Sequence, residues 1–483
     1  MTQVNLHFTA QSGDLNKASK LVLVGRIDAL RSARPESVSE AIWEGCLKDL
    51  KGGDMGASRS TFTGVEYPAE VALVALPEKV ARHASPARTH AMHQTLLSVV
   101  SGKGSLGIHV LLSDAQHAFA SGLAVARAFS TFSRKSQDDE AEAERRVHIM
   151  MSADGDVVTP TRRMIESANS VRMAAHWVDA PCGDFNTDSF VEAARAVAAE
   201  TGSGLDLIQG EDLLRQGYGG LWTVGKAAEG KPALAILKHE PEGAERTIAW
   251  IGKGMVYDTG GLSLKVGGSM VGMKNDMGGA AGILAAFRAA ALSGAKDRIY
   301  ALLCLAENAV DERAGRPDDI HQSYSGKTVE VNNTDAEGRL VMADGLAHAT
   351  RHLNPDVVLD MATLTGAQLV ATGRRHAALY CNDDELEALA MKAGRSSGDL
   401  THPLPYAPEF YKADYKSPIA DLRNTTSDRM NASSASAGWF LSNHLVDYDG
   451  PWIHVDIAGP VGHKDRGTGF GVGLLMDMFV PAE

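Results

Sequence analysis

Three glycine-flanked segments in the second half of the chain carry acidic side chains, and together they constrain it most. The first runs Gly252-Lys253-Gly254-Met255-Val256-Tyr257-Asp258-Thr259-Gly260-Gly261, with Lys265 seven residues beyond Asp258. The second is Lys274-Asn275-Asp276-Met277-Gly278-Gly279, and the third is Asn332-Asn333-Thr334-Asp335-Ala336-Glu337-Gly338-Arg339-Leu340. Converging carboxylates repel one another unless cations sit among them, and a pair of divalent metal ions is the economical answer. Asp258, Asp276, Asp335 and Glu337 are enough for a bridged dinuclear site, since a carboxylate can bridge two metals and a histidine cannot. No His-Glu-x-x-His helix or its inverted form occurs in the chain. A site here is therefore carboxylate-based or absent.

Lys253 and Lys265 flank the first acid. Beside two dications a lysine loses its proton readily, through desolvation and like charge. A neutral lysine could ligate metal, and a charged one could polarise a substrate carbonyl or stabilise the oxyanion formed on attack. Arg339 keeps its charge and offers a planar fork suited to a small anion. Blander explanations exist for each. Thr334-x-x-Glu337 ahead of an apolar run is also a capping box, lysines are ordinarily solvated, and Arg339 could serve a helix-surface ion pair. Capping accounts for neither Asp258 nor Asp276 nor the lysines, so metal ligation is the expectation that covers the whole set.

With 483 residues the chain exceeds one ordinary core, and two domains are expected. Candidate strands in the first third are 21–24, 71–76, 109–112 and 147–151, with a helix over 114–132; this is an α/β pattern with one sheet. The charge-dense stretch 134–146 is expected as an exposed turn or helix edge. A long helix over 161–178 ends at Pro181, which blocks continuation. The expected division is an N-terminal α/β domain, 1–160, with an oligomeric or regulatory role, a linking helix, 161–180, and a catalytic domain, 181–483. In the second part, strands are expected at 247–251, 300–305, 357–360 and 452–457, and helices at 280–292 and 340–352. Strands ending in glycine-rich loops before helices suit an open sheet, mixed here, whose ligands bind at the carboxyl ends of the strands.

A formal net charge of −13 argues against a nucleic-acid partner. Cys46, Cys182, Cys304 and Cys381 form no CxxC pair, which disfavours thiolate zinc and a disulfide framework. No apolar run is long enough for a bilayer span, and the first residues lack a secretory pattern. A cytoplasmic protein without a membrane partner is the expectation. Gly225-x-x-x-x-Gly230-Lys231 imitates a phosphate loop, but Pro232 stands where Ser or Thr is needed. Asn424-Thr425-Thr426 and Asn431-Ala432-Ser433 are sequons with nothing to suggest secretion. Cys304 and His454 are expected to be structural.

The three acidic segments closely resemble the dizinc leucyl aminopeptidases, the cytosol aminopeptidase family. Asn333 to Leu340 matches the family's eight-residue signature at every position, and the spacing from Lys253 to Asp258, Lys265, Asp276 and Asp335 agrees as well. Segments 325–331, 362–367 and 454–459 also look like family segments, so the likeness spans roughly residues 165–480. It implies a dinuclear-metal aminopeptidase that acts on peptides with a free N-terminus. Lys253, Asp258, Asp276 and Glu337 would hold the tighter metal. Asp258, Asp335 with its carbonyl, and Glu337 would hold the more exchangeable one. A water or hydroxide shared by the metals would attack, Lys265 would steady the oxyanion, and bicarbonate on Arg339 would act as general base. Met273 and Thr363 would line the pocket for the first side chain, Asn333 and Ala336 the leaving-peptide side, and the Leu364 carbonyl would meet the substrate backbone. The resemblance also implies a homohexamer. Zinc is the family default, and carboxylate sites also take manganese, magnesium or cobalt.

Segments 224–232 and 466–471 depart from the family pattern, which implies a sub-branch with its own substrate preference. The N-terminal third matches no motif. Two rivals stand beside the peptidase: a catalytically silent binding or scaffold protein on the same fold, and another two-metal hydrolase such as a phosphoesterase, whose phosphate Arg339 could seat.

Overall fold

The computed structural model describes residues 4–102, 104–136 and 145–482. The chain forms two compact units. One comprises Met1–Arg172 with Ala393–Leu400 and Ala482–Glu483, and the other Met173–Lys392 with Thr401–Pro481. The division falls inside a helix, Arg162–Asp179. Most of the charge-dense stretch 134–146, residues 137–144, lies outside the described residues.

The first unit holds strands β1 (Val4–Phe8), β2 (Lys20–Gly25), β3 (Ala57–Phe62), β4 (Glu70–Ala75), β5 (Leu106–Leu112), β6 (Arg145–Ala153) and β7 (Asp156–Val157). They make one sheet in the order β1-β6-β5-β2-β4-β3, with β7 against β6. All pairs are parallel except those of β3 and β7. The alternation along β2 explains why. Leu21 and Leu23 enter one apolar cluster, while Val22 and Val24 enter another. A strand buried on both faces reads as a continuous apolar run, the pattern of parallel sheets.

The helix expected over 114–132 is shorter. The Asp114 carboxylate accepts from the Gln116 amide and caps a 3-10 turn, Ala115–His117, so the α-helix proper spans Ala118–Arg127. Ala128 and Phe129 leave it for the core, where tertiary packing overrides alanine's helix propensity.

The second unit holds β8 (Gly204–Gln209), β9 (Ala233–His239), β10 (Thr247–Asp258), β11 (Arg298–Asn308), β12 (Ile320–Gln322), β13 (Thr328–Glu330), β14 (Val357–Ala362), β15 (Ala377–Cys381), β16 (Thr401–Pro403), β17 (Leu422–Arg423), β18 (Trp452–Asp456), β19 (Gly462–His463) and β20 (Arg466–Gly467). Eight of these form a mixed sheet in the order β16-β15-β18-β14-β10-β11-β9-β8. β10 is central and runs parallel to both β11 and β14. The helices Gly278–Leu292 and Gly338–His352 both pack on it. Both follow acidic loops, and their small residues allow close approach. A Cβ on Gly279 would lie 2.2 Å from the Met361 carbonyl oxygen and 3.0 Å from the Lys253 amide nitrogen. Among the described residues no helix is long and apolar enough to cross a membrane.

Gly279→Ala should therefore lift this helix off β10 and β14. Overpacking of this kind costs about 1–3 kcal/mol, readable as a lower denaturation midpoint at unchanged slope.

Candidate metal centre

β10 delivers the first acid. Its register against β11 shifts between Met255 and Asp258, and an irregularity at a strand end re-aims the side chains there. Lys253 and Asp258 are both buried. Lys265 lies in the loop that follows, and Asp276 follows a 3-10 turn, Met273–Asn275. Glu337 takes the N-cap position of the helix Gly338–His352, and Thr363 comes directly after β14. Asp258 and Thr363 thus stand at the carboxyl ends of neighbouring parallel strands, where open α/β sheets seat their ligands.

The loops close into one cluster. Lys253 Nζ lies 2.8 Å from the Asp276 carboxylate and 2.9 Å from that of Glu337, and it donates to the Thr363 carbonyl at 3.1 Å. Lys265 Nζ lies 2.7 Å from Asp258 and 2.5 Å from Asp335. One ligand atom each from Asp258, Asp335 and Glu337 falls within 4.8 Å of the others. Asp276 joins this trio through Lys253.

Four carboxylates against two ammonium groups leave the cluster short of positive charge. Burial pushes Glu337 up to about 8, with Asp258 adding to it against the pull of Lys253. Burial likewise raises Asp276 to about 6 in spite of Lys253, and it raises Asp335 against the opposing pull of Lys265. Burial alone would lower both lysines, but the surrounding carboxylates outweigh it and raise them. The lysines are the fixed cations, and a retained proton eases the remaining excess of negative charge.

This donor set fits hard cations. Glu337 Oε2 is buried with no hydrogen-bond partner. Asp276 Oδ2 and Asp335 Oδ1 lie within ion-pair distance of a lysine, yet neither is aligned for a hydrogen bond. Buried carboxylate oxygens with spare acceptor capacity are what a divalent ion takes up. Gly338 keeps the cluster open, since a Cβ there would lie 2.6 Å from Lys253 Cε and 2.8 Å from its Nζ.

The capping-box explanation fails. Glu337 makes no side-chain cap hydrogen bond. The Thr334 hydroxyl instead donates to the Gly260 carbonyl at 2.7 Å and accepts from the Ser263 amide at 2.7 Å, tying the third loop to the first. Arg339 is no surface ion pair either. It is 8 % exposed, donates to the Tyr415 hydroxyl and the Asn424 carbonyl, and leaves its Nε buried without an acceptor. Asn333 accepts from the Asp335 amide at 2.9 Å. The Thr363 hydroxyl donates to an Asp276 carboxylate oxygen at 2.7 Å. The Leu364 amide donates to Asp456 at 3.1 Å, Ala336 is half-buried in the third loop, and Met273 sits three residues before Asp276.

Two organising residues escaped the sequence. Asn308, at the end of β11, donates to Asp258 at 2.8 Å and to the Thr334 carbonyl at 3.0 Å. Asn424 is fully buried; it accepts from the Asn332 amide and donates to the Asn333 carbonyl at 2.7 Å. A sequon is thereby excluded at that position, because the side-chain amide is enclosed. Neither residue belongs to an acidic motif; only the end of a long apolar strand pointed toward Asn308.

A model of the "Cytosol aminopeptidase family, catalytic domain" matches residues 172–476. The chain belongs to the cytosol aminopeptidase family. It is a metalloexopeptidase that hydrolyses peptides at the N-terminus, of a family that works with two metal ions. A second model, "M17 aminopeptidase N-terminal domain 2", matches residues 21–138. The chain is 44% identical to the human "Probable aminopeptidase NPEPL1", covering 99% of this chain and 93% of that one. It is 38% identical to the Caenorhabditis elegans "Leucine aminopeptidase 1", over 98% and 97% of the two chains. Among solved structures, the leucyl aminopeptidase from Leishmania major in complex with actinonin superposes with a TM-score of 0.90 at 35% identity, over 99% of this chain and 95% of that one. These matches extend the family to the N-terminal third of this aminopeptidase, where no motif had been legible.

Metal uptake by the metal-free aminopeptidase should release protons. Glu337 keeps its proton up to about pH 8 and Asp276 to about pH 6, and ligation requires both to be ionised. Proton release per ion, measured in weakly buffered titrations, should therefore be larger at pH 6.5 than at pH 9, and apparent affinity should rise with pH between them.

Proposed function

We propose that the cluster holds two divalent ions and removes single N-terminal residues from peptides. Lys253, Asp258, Asp276 and Glu337 hold one ion, and Asp258, Asp335 and Glu337 the other, with zinc as first choice and manganese, magnesium or cobalt as alternatives. Bound there, the ions polarise the scissile carbonyl, lower the pKa of the attacking water and fix the free α-amine of the substrate. Convergence of all four acids on one buried cluster, with Glu337 Oε2 left unpartnered, carries this proposal.

The chain's own residues do the rest. Lys265, at the outer side of the cluster, donates to the oxyanion that forms on the carbonyl. Lys253 gives up its proton when it ligates, because two dications reverse the field that the carboxylates set. Arg339 would hold bicarbonate as general base, and its buried Nε without an acceptor supports an anion beside it. Met273 and Thr363 face the first side chain, Asn333 and Ala336 the leaving peptide, and the Leu364 carbonyl the substrate backbone. Residues 181–483 carry the chemistry and 1–160 serve assembly or regulation, in a cytoplasmic homohexamer. No particular observation favours a silent scaffold or a phosphoesterase.

The test is release of free amino acid from aminoacyl amides by metal-loaded protein. Turnover should vanish with chelator, with an N-acetylated substrate and with Glu337→Ala. Lys265→Ala should lower kcat by roughly 10²–10³ with little change in KM, as for loss of an oxyanion donor. Full activity in Glu337→Ala would defeat the proposal.

A further inference from the structure

Beside the metal cluster the second unit has a solvent-open cavity of about 330 Å³ that the chemistry above does not use. That volume lies within the range of small-molecule sites. Its walls are close chain neighbours of site residues. Lys274 and Asn275 belong to the turn Met273–Asn275 that precedes Asp276, and Ala458 and Gly459 follow Asp456, which holds the Leu364 amide. Val461 packs against the start of the helix that follows this turn, where a Cβ on Gly278 would meet it at 2.2 Å.

The lining is basic. Lys274, Arg374, Lys464 and Arg466 contribute four positive charges, against Asp179 and Asp465, and His463 adds a ring whose protonation burial and nearby cations disfavour. Asp179 is already engaged: it pairs with Arg466 at 2.9 Å, accepts from the Gly467 amide at 2.7 Å, and takes Lys274 on its backbone carbonyl. Among the described residues, Arg374 and Lys464 have no carboxylate at ion-pair distance. Both are held by backbone rather than by charge. Gly459 brings Arg374 in, since a Cβ there would lie 2.4 Å from the Gly373 carbonyl and 3.1 Å from Arg374 Cα. Lys464 and Asp465 form the two-residue turn between β19 and β20, both with positive φ, 49° and 60°. Glycine or asparagine usually fills such positions, and departures from that preference cluster at functional sites. This hairpin includes the start of the C-terminal segment, 466–471, that departs from the family pattern.

We propose that this cavity receives a carboxylate on the substrate's first side chain, so that the enzyme accepts N-terminal glutamate and aspartate. Arg374 and Lys464 are the specificity-determining residues, and Lys274 and Arg466 set the field behind them. The inference rests on the peptidase function proposed above and on Met273, in the turn that lines the cavity, standing beside the first side chain. An acidic side chain placed among these groups gains charge-assisted hydrogen bonds that leucine cannot make.

The experiment compares kcat/KM for glutamyl and leucyl aminoacyl-coumarin amides in metal-loaded wild type and in Arg374→Ala/Lys464→Ala. Both residues are exposed, and neither belongs to the catalytic machinery. The wild type should turn over the glutamyl substrate at least as well as the leucyl one. The double variant should lose about tenfold or more on glutamyl alone, with Arg374→Lys retaining part of it. Leucyl turnover with a glutamyl rate a hundredfold lower, or a glutamyl-to-leucyl ratio unchanged in the double variant, overturns the inference and leaves the peptidase function standing. Inorganic phosphate that binds wild type but not the double variant, with that ratio unmoved, would assign the cavity to a free anion and overturn it too. Turnover of neither substrate sinks the peptidase function, and this inference with it.

Discussion

Four acidic side chains are brought together, three of them buried and Asp335 half-buried, and the cost of that arrangement shapes the second unit. Two lysines offset part of it. Lys253 rises from the middle of the central strand and sits between Asp276 and Glu337, while Lys265 comes from a loop and sits between Asp258 and Asp335. Gly338 and Gly279 press against the Lys253 side chain and backbone too closely for any Cβ. The charge that remains uncompensated is the physical reason the cluster has an appetite for dications.

Charge alone would not hold three loops in register. Neutral hydrogen-bonding residues do that. Thr334 joins the third loop to the first, Asn308 joins Asp258 to the third loop, and Asn424 fixes Asn332, Asn333 and Arg339 at once. These groups keep the acids converged without adding charge of either sign. The same economy governs the cavity beside the cluster. Its cations are positioned by a tight turn and by close backbone contact, and Asp179 neutralises only part of their field.

Much of the fold was legible because the strands that matter are buried on both faces. Continuous apolar runs such as Leu21–Val24, Val71–Leu76 and Tyr300–Leu305 can be little else. β8, β9, β15 and β16 were not singled out. β8 and β16 are sheet edges, where half-exposed residues dilute the pattern. The alanine-rich run 114–132 suggests a longer helix than forms, because the Asp114 cap and the buried Phe129 decide its ends. In the site, the acids, lysines and Arg339 stood out through glycine-flanked motifs. Asn308 and Asn424 did not, since a lone asparagine has no local signature and Asn424 even imitated a glycosylation site.

By itself the sequence determined which groups are available and how they are spaced within each loop: Asp258 five residues after Lys253, and Glu337 two after Asp335. It also determined that strands would lead into those loops, because apolar runs of that length cannot remain in water. Only the tertiary structure decided that Asp276 and Glu337, 61 positions apart, share one lysine. That meeting depends on the parallel pairing of β10 with β11 and β14 and on helices packed tightly against them. Pairing over such distances is set by burial of whole faces, which no single stretch of residues encodes.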